Sequence, residues 1–468
     1  MENHLTRRKE LIELERSKGH TAHRTYSPKE LRVNEIIHSL RLEEGDTDDD
    51  SWRGMPYNAR SKAKMQKSRL FGALRRINKG CALHLHLDAC GTTQGLVDLA
   101  FEQDTLCIES DLPFVGPSFP ESALFTFSYH PPSSPLFSNP TPTLYTPSYI
   151  PHTPVPLKIV RANYPESLGG PKGFDEMVKR RLVVDPSSTG WSPKRVWDQF
   201  QSIFNLSGGL LGFEPVWEAC SSIPPLLLFN VLISDWLDIE QVLRIYIADK
   251  VPYLEARINF LPEFMTSISG SPTFAHADWI RSFQRIVTKL RLEFPDRFYG
   301  AKIIYSTIRI VPPGHLDPAT KSKSGLESTI AGGLRWYLED CLALRREFGE
   351  LICGFDLVGW EDGLRPLMDY MEDLLWFKEQ EGRVPFLFHA GETNGDGNRA
   401  DLVRYARYSV RSCTDTLSIF TESLRCDSIG YEEDRTWRQS CSTSCSHGFM
   451  QRTSNRSASL LPSPPCVD

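Results

Sequence analysis

A chain of 468 residues can fold as one large barrel with additions or as two to three domains, and its 40% hydrophobic and 11% aromatic content is that of a globular protein. A net charge of −6 gives no basis for a nucleic-acid or anionic-membrane partner, and no apolar run is long enough to span a bilayer. The first ten residues are charged and lead into no apolar segment, so no signal peptide is read and the cytoplasm is the expected compartment.

Residues 1–78 read as helical. Leu5 to Lys18 is charged and amphipathic, and Ser27-Pro28-Lys29-Glu30 starts a second helix that runs to about Glu44. After an acidic break at 45–50, a third helix is predicted from Ala59 to Asn78. A strand at 81–88 is followed by a helix over Gln94 to Glu102. Residues 113–156 are dense in Pro, Ser and Thr with scattered Phe and Tyr. They read as a long insertion or linker, partly ordered by its aromatics.

Regular alternation then resumes. Helices are predicted from Ser192 to about Gly208, within Pro224 to Ala248, over His276 to Phe294, Leu326 to Phe348 and Leu364 to Gln380. Strands are predicted at Pro252 to Phe260, Ala301 to Val311, Leu351 to Val358 and Val384 to His389. With the strand at 81–88 that makes five, all short and apolar with charge at their ends. Such alternation is the mark of a parallel sheet, and polar strand ends favour a barrel, although a closed (β/α)8 barrel needs eight strands. No Gly-rich phosphate turn follows the first strand, which argues against an open nucleotide-binding sheet.

Two stretches carry chemistry. In Cys81-Ala-Leu-His84-Leu-His86-Leu-Asp88-Ala-Cys-Gly91, leucines alternate with His84, His86 and Asp88, so one face of a strand presents two imidazoles and a carboxylate. Alone, the His pair better suits surface histidines on an edge strand. The second stretch, Phe386-Leu-Phe-His389-Ala-Gly-Glu392, is another apolar run that ends in His and a carboxylate. Together they offer His84, His86 and His389 as three ligands of one metal ion with a position left open for water. Glu392, past the small Ala-Gly step, is placed to shuttle a proton without ligating. Asp88 either holds a polar substrate or caps the next helix, and Gly359 either lines the rim or is a turn glycine. Glu361 and Asp362 read as a solvated loop. The cysteines 81, 90, 107, 220, 341 and 353 read as buried thiols, and Cys441, Cys445 and His447 lack a partner pair at zinc-ribbon spacing.

These motifs resemble the adenosine deaminase family, and within it the adenosine-deaminase-related growth factor (adenosine deaminase 2-like) branch. The matching segments are Leu83-His-Leu-His-Leu-Asp88-Ala, Glu255-Ala-Arg-Ile-Asn-Phe260, Gly354-Phe-Asp-Leu-Val-Gly359 with Glu361-Asp362, and Phe388-His-Ala-Gly-Glu392-Thr. The resemblance covers most of about 25–110 and 175–406. It implies a (β/α)8 barrel over 79–406 with one zinc ion on His84, His86 and His389. It implies hydrolytic deamination of adenosine or 2′-deoxyadenosine to inosine or 2′-deoxyinosine and ammonia. Glu392 would give a proton to the purine ring nitrogen, Gly359 would bind the purine and Asp88 a ribose hydroxyl. Residues 1–78 would serve a homodimer. Many members of the branch are secreted, which makes the extracellular space the alternative compartment.

After Glu392 the family pattern continues with an Ile-Gly-His-Gly turn and an Asp-Asp pair that supplies a fourth zinc ligand. Neither motif occurs here, and the resemblance stops near Ala406. Residues 407–468 are rich in Ser, Arg and Cys and show no strand signal. They read as a non-homologous tail, disordered or the product of a changed reading frame. A frame change is favoured, because a barrel short of three strands leaves open edges. With permitted codons, Thr414 to Asp427 read out of frame also gives a Gly-His turn. The chain as written is therefore expected to show little or no deaminase activity. Two other readings remain: a catalytically dead protein that binds nucleosides or partners, and the same metal chemistry on adenine or a nucleotide.

Overall fold

The structure is a computed structural model that describes residues 2–18, 24–45, 65–90, 93–116, 119, 123–138, 144–184, 192–218, 239–317 and 329–392. By its internal contacts the chain divides into Met1–Lys79 and Gly80–Asp468.

The first unit is helical: α1 (Glu2–Lys18), α2 (Pro28–Gly45) and α3 (Arg69–Leu74). The start of α2 is a reciprocal cap. Glu30 N donates to Ser27 Oγ at 3.2 Å, and Ser27 N donates to the Glu30 carboxylate at 2.8 Å. Glu44, near the end of α2, accepts from Leu70 N at 3.0 Å and from the Ser68 hydroxyl at 2.5 Å, so it satisfies orphan donors at the start of α3. The helix expected over Ala59 to Asn78 is shorter than predicted: Ser68 caps α3 and the regular helix stops at Leu74, while 59–64 lie outside the described residues.

The second unit opens with β1 (Ala82–His86), a 3-10 turn at Leu87–Ala89 and α4 (Thr93–Phe101). The described residues of the stretch expected as an insertion or linker take part in a small sheet. β2 (Leu106–Ser110), β3 (Phe125–Tyr129) and β4 (Val155–Pro156) form an antiparallel sheet in the order β3-β2-β4. It is backed by α5 (Leu157–Ala162), α6 (Gly170–Arg181) and α7 (Pro193–Leu211). Its scattered aromatics are what order it. Phe114 stacks on Phe119 at 4.9 Å, and Tyr164 meets Phe174 edge-on at 5.5 Å. These belong to a separate buried cluster around Phe174 and Val160.

Beyond α8 (Ile239–Ala248) comes β5 (Tyr253–Asn259), then a hairpin of β6 (Phe264–Thr266) and β7 (Pro272–Ala275). The chain continues through α9 (His276–Glu293), β8 (Gly300–Ile308), α10 (Leu334–Phe348), β9 (Ile352–Val358) and α11 (Met371–Glu379). Strands β1, β5, β8 and β9 lie side by side in that order and are all parallel. Helix α9 shows why such helices form and dock. Trp279, Ile280, Phe283, Ile286, Val287 and Leu290 fall on one face, all of them buried.

Three expected elements are shorter than predicted. α10 begins at Leu334 because the extended Gly333 caps it. α11 begins at Met371, after a 3-10 turn at Leu367–Tyr370 that follows the extended Pro366. The strand expected at 384–389 is reduced to one parallel bridge, Phe355↔Phe386. Pro385 has no N–H to give, so the segment holds β9 through two bonds: Phe355 N to Pro385 O at 2.9 Å and Leu387 N to Phe355 O at 2.8 Å.

Candidate metal centre

Register brings the site together. His86 ends β1 and pairs with Arg257 on β5, while Ser306 on β8 pairs with both Asn259 and Asp356. In a parallel sheet, paired residues point to one face, so His86, Arg257 and Asp356 share a side near the strands' C-terminal ends. The parallel bridge Phe355↔Phe386 then sets His389 level with Val358, the last residue of β9.

The three histidines predicted from sequence converge. His84 Nε2 and His86 Nε2 each lie 3.1 Å from His389 Nε2. Two nitrogens bound to one zinc at about 2.0–2.1 Å stand roughly 3–3.4 Å apart, so the spacing suits a shared ion. Among the described residues, this trio is the one group of His, Cys, Asp or Glu with ligand atoms close enough to hold a metal.

The surroundings prepare the imidazoles for that task. Asp356 accepts from His389 Nδ1 at 2.7 Å and from His389 N at 2.8 Å. The proton is thereby fixed on Nδ1 and the lone pair on Nε2, which is the arrangement a ligating histidine needs. Arg257 Nε donates to the same carboxylate at 2.6 Å, and both side chains are almost fully buried. Burial alone would raise the Asp356 pKa, but the His389 and Arg257 contacts outweigh it and hold it below the usual value. Burial, with Arg257 and His389 nearby, pushes both His84 and His86 down to about 4. Both imidazoles are therefore neutral at pH 7 and able to ligate a metal.

The remaining predicted residues are placed as follows. Asp88 lies in the 3-10 turn after β1, not at the start of α4, so it is no helix cap; its Oδ1 is buried without a partner, and burial raises its pKa to about 6. Gly359 follows β9 at φ +111, a conformation in which side chains are strained, and a Cβ there would lie 2.8 Å from Leu364. Glu392 is exposed and stands outside the histidine trio. The solvated-loop reading of Glu361 is corrected: its side chain is 1% exposed, because its carboxylate takes the N–H groups of Gly391 and Glu392 at 3.2 and 2.6 Å. Cys81 is exposed, contrary to the buried thiol expected of it.

Asp356, Arg309 and Glu361 had no assigned role in the sequence reading. The usable signal for Asp356 was a lone carboxylate inside the apolar run Ile352–Val358, since a charge in a buried strand needs a partner.

What fold and site define is an α/β chain with a three-histidine centre at the C-terminal ends of a parallel sheet. No family model matches the chain. It is similar in sequence to an adenosine deaminase of Lutzomyia longipalpis, 26% identical over 342 residues, 72% of this chain and 54% of that one. Adenosine deaminase 2-A of Danio rerio is likewise 26% identical over 348 residues, 73% of this chain and 56% of that one. The chain thus spans about half the length of the curated relatives it matches. Among solved structures, the Arabidopsis ADAL protein complexed with GMP aligns with 71% of this chain and 63% of its own, at 12% identity and a TM-score of 0.34. Among the described residues, no helix is long and apolar enough to cross a membrane.

Proposed function

We propose that this chain carries the metal-binding part of a zinc-dependent deaminase that hydrolyses the C6 amino group of adenosine or 2′-deoxyadenosine, on a (β/α)8 barrel of the metal-dependent hydrolase kind. The observation that carries the reading is the convergence of His84, His86 and His389 on one point with Asp356 behind His389. The named activity of its sequence relatives supports the substrate. His84, His86 and His389 hold the zinc. When bound, zinc supplies Lewis acidity and a water acidic enough to act as nucleophile at neutral pH.

The chain's own groups do the rest. Glu392 delivers a proton to the purine nitrogen beside the attacked carbon, so that C6 accepts water and expels ammonia. Gly359 binds the purine through its backbone, in a left-handed turn that the neighbouring Leu364 and Ile308 side chains leave only a glycine room to make. Asp88, with a buried and unpaired oxygen, takes a ribose hydroxyl. Residues 1–78 are proposed to make a homodimer, because Leu5, Leu11 and Leu14 stand exposed on α1; sedimentation of the full chain tests this.

The sequence after Glu392 contains neither the Gly-His turn nor the Asp-Asp pair of the family, so turnover by these 468 residues is expected to be very low. The test has two parts. Zinc should bind one per chain, and His389→Ala should abolish it; a wild-type chain that binds no zinc sinks the proposal. Ammonia release should then be compared for adenosine, 2′-deoxyadenosine, adenine and AMP. Rapid adenosine turnover would overturn the expectation of a crippled centre, and faster release from AMP would overturn the nucleoside assignment. Sequencing the transcript from the codon of Asp396 onward decides whether a frame change restores the missing motifs.

A further inference from the structure

The segment from His389 to Glu392 must present two different groups, an imidazole at its start and a carboxylate at its end. The structure holds these two ends on two different carboxylates. Asp356 takes the ring and the N–H of His389. Glu361 takes the next two free N–H groups, Gly391 at 3.2 Å and Glu392 at 2.6 Å. Glu361 itself is fixed by Arg309, whose Nη2 lies 3.4 Å from its Oε1 and also donates to the His389 carbonyl. Both side chains are sealed from water, at 0% and 1% exposure. Arg309 is pinned in turn, for its Nε donates to Leu357 O, and Tyr370 donates to the Arg309 carbonyl. Gly391 sits at φ +85, so the chain turns sharply between the two anchors.

A buried carboxylate that accepts two consecutive N–H groups and faces a buried guanidinium is expensive to keep unless it does something for the fold or the site. Here it ties the loop after β9 to the tip of the His389–Glu392 turn. We infer that Glu361, braced by Arg309, is a positioning residue that fixes the backbone of Glu392 and so aims the proton-carrying carboxylate, while Asp356 holds the His389 ring. This rests on the proposed role of Glu392.

Amide hydrogen exchange on the full chain, with and without zinc, tests it. Peptides covering 386–392 are read against peptides from Gly300–Ile308. In Glu361→Ala the Gly391 and Glu392 amides should exchange at least ~10-fold faster while β8 is unchanged. Glu361→Gln keeps one acceptor oxygen and should restore protection to one of the two. Because that variant retains the shape of the side chain, it decides the matter if the alanine variant does not fold. Zinc affinity in Glu361→Gln, measured by competition with a chelating dye, should stay within about threefold of wild type, since Asp356 still holds His389. Unchanged exchange at 391–392, or a zinc affinity that falls more than ~10-fold with the turn, overturns the inference. A wild-type chain that binds no zinc would instead remove the deaminase reading, while the exchange result would still report on the anchor.

Discussion

The parallel sheet and the antiparallel sheet of the second unit both bury aromatic residues, yet they treat charge differently. Around Phe174 and Val160 the antiparallel region packs Phe, Tyr and aliphatic side chains, and its bidentate Arg161–Asp175 pair stays near the surface. The parallel region buries whole ion pairs, Arg257 with Asp356 and Arg309 with Glu361. Buried polar atoms without partners occur in both, Thr105 Oγ1 and Gln199 Oε1 beside the antiparallel sheet and Asp88 Oδ1, Asn259 Oδ1 and Thr307 Oγ1 beside the parallel one, so the difference lies in the ion pairs. Apolar packing stabilises by area alone, whereas buried charge is costly and is retained where geometry must be fixed. One sheet is thus assembled for stability and the other for a site.

Asp356→Ala should break that contrast most severely. It strips His389 Nδ1 of its acceptor and leaves Arg257 buried and unpaired. Zinc affinity should fall about 10–100-fold, and stability by about 3–5 kcal/mol. Dye competition and urea unfolding read the two losses, and an unchanged zinc affinity would refute the orienting role. Phe174→Ala sharpens the contrast from the other side. Phe174 is fully buried, and Phe101 and Tyr164 pack against it. Its loss should cost about 3 kcal/mol or somewhat more, yet leave zinc affinity within about twofold. A zinc defect in that variant would show that the antiparallel sheet shapes the centre.

The same contrast explains what the sequence disclosed. The grouping of the histidines was legible because the alternation from Leu83 to Asp88 places His84 and His86 on one face of a strand, and a second apolar run ends in His389. Strands β5, β8 and β9 were legible from their β-branched or apolar runs. The antiparallel region was not, because Phe125–Tyr129 and Val155–Pro156 are short strands set among prolines, and contacts distant in sequence order them. Glu361 failed for a related reason. Locally it sits in a charged turn, Glu361-Asp362-Gly363, and only the approach of Gly391 and Glu392, 30 residues on, buries it. Arg309 likewise follows an apolar strand with no local sign of its partners.

Asp88 supplies the smallest and most specific test. Burial lifts its carboxyl to about 6 in the metal-free fold, above the ordinary value near 4. Between those two pH values the folded state binds a proton that the unfolded chain has released, so stability falls as pH rises through the window and the full penalty is present above it. Asp88→Asn has no such proton to lose. At pH 7 the metal-free variant should therefore be more stable than wild type by about 1–3 kcal/mol, with the difference shrinking toward zero below pH 4. Urea titrations of both proteins at pH 4, 5, 6 and 7 measure this directly. A flat difference across that range would mean that Asp88 is already paired at neutral pH, and its reading as a carboxylate held in reserve for a ribose hydroxyl would fall with it.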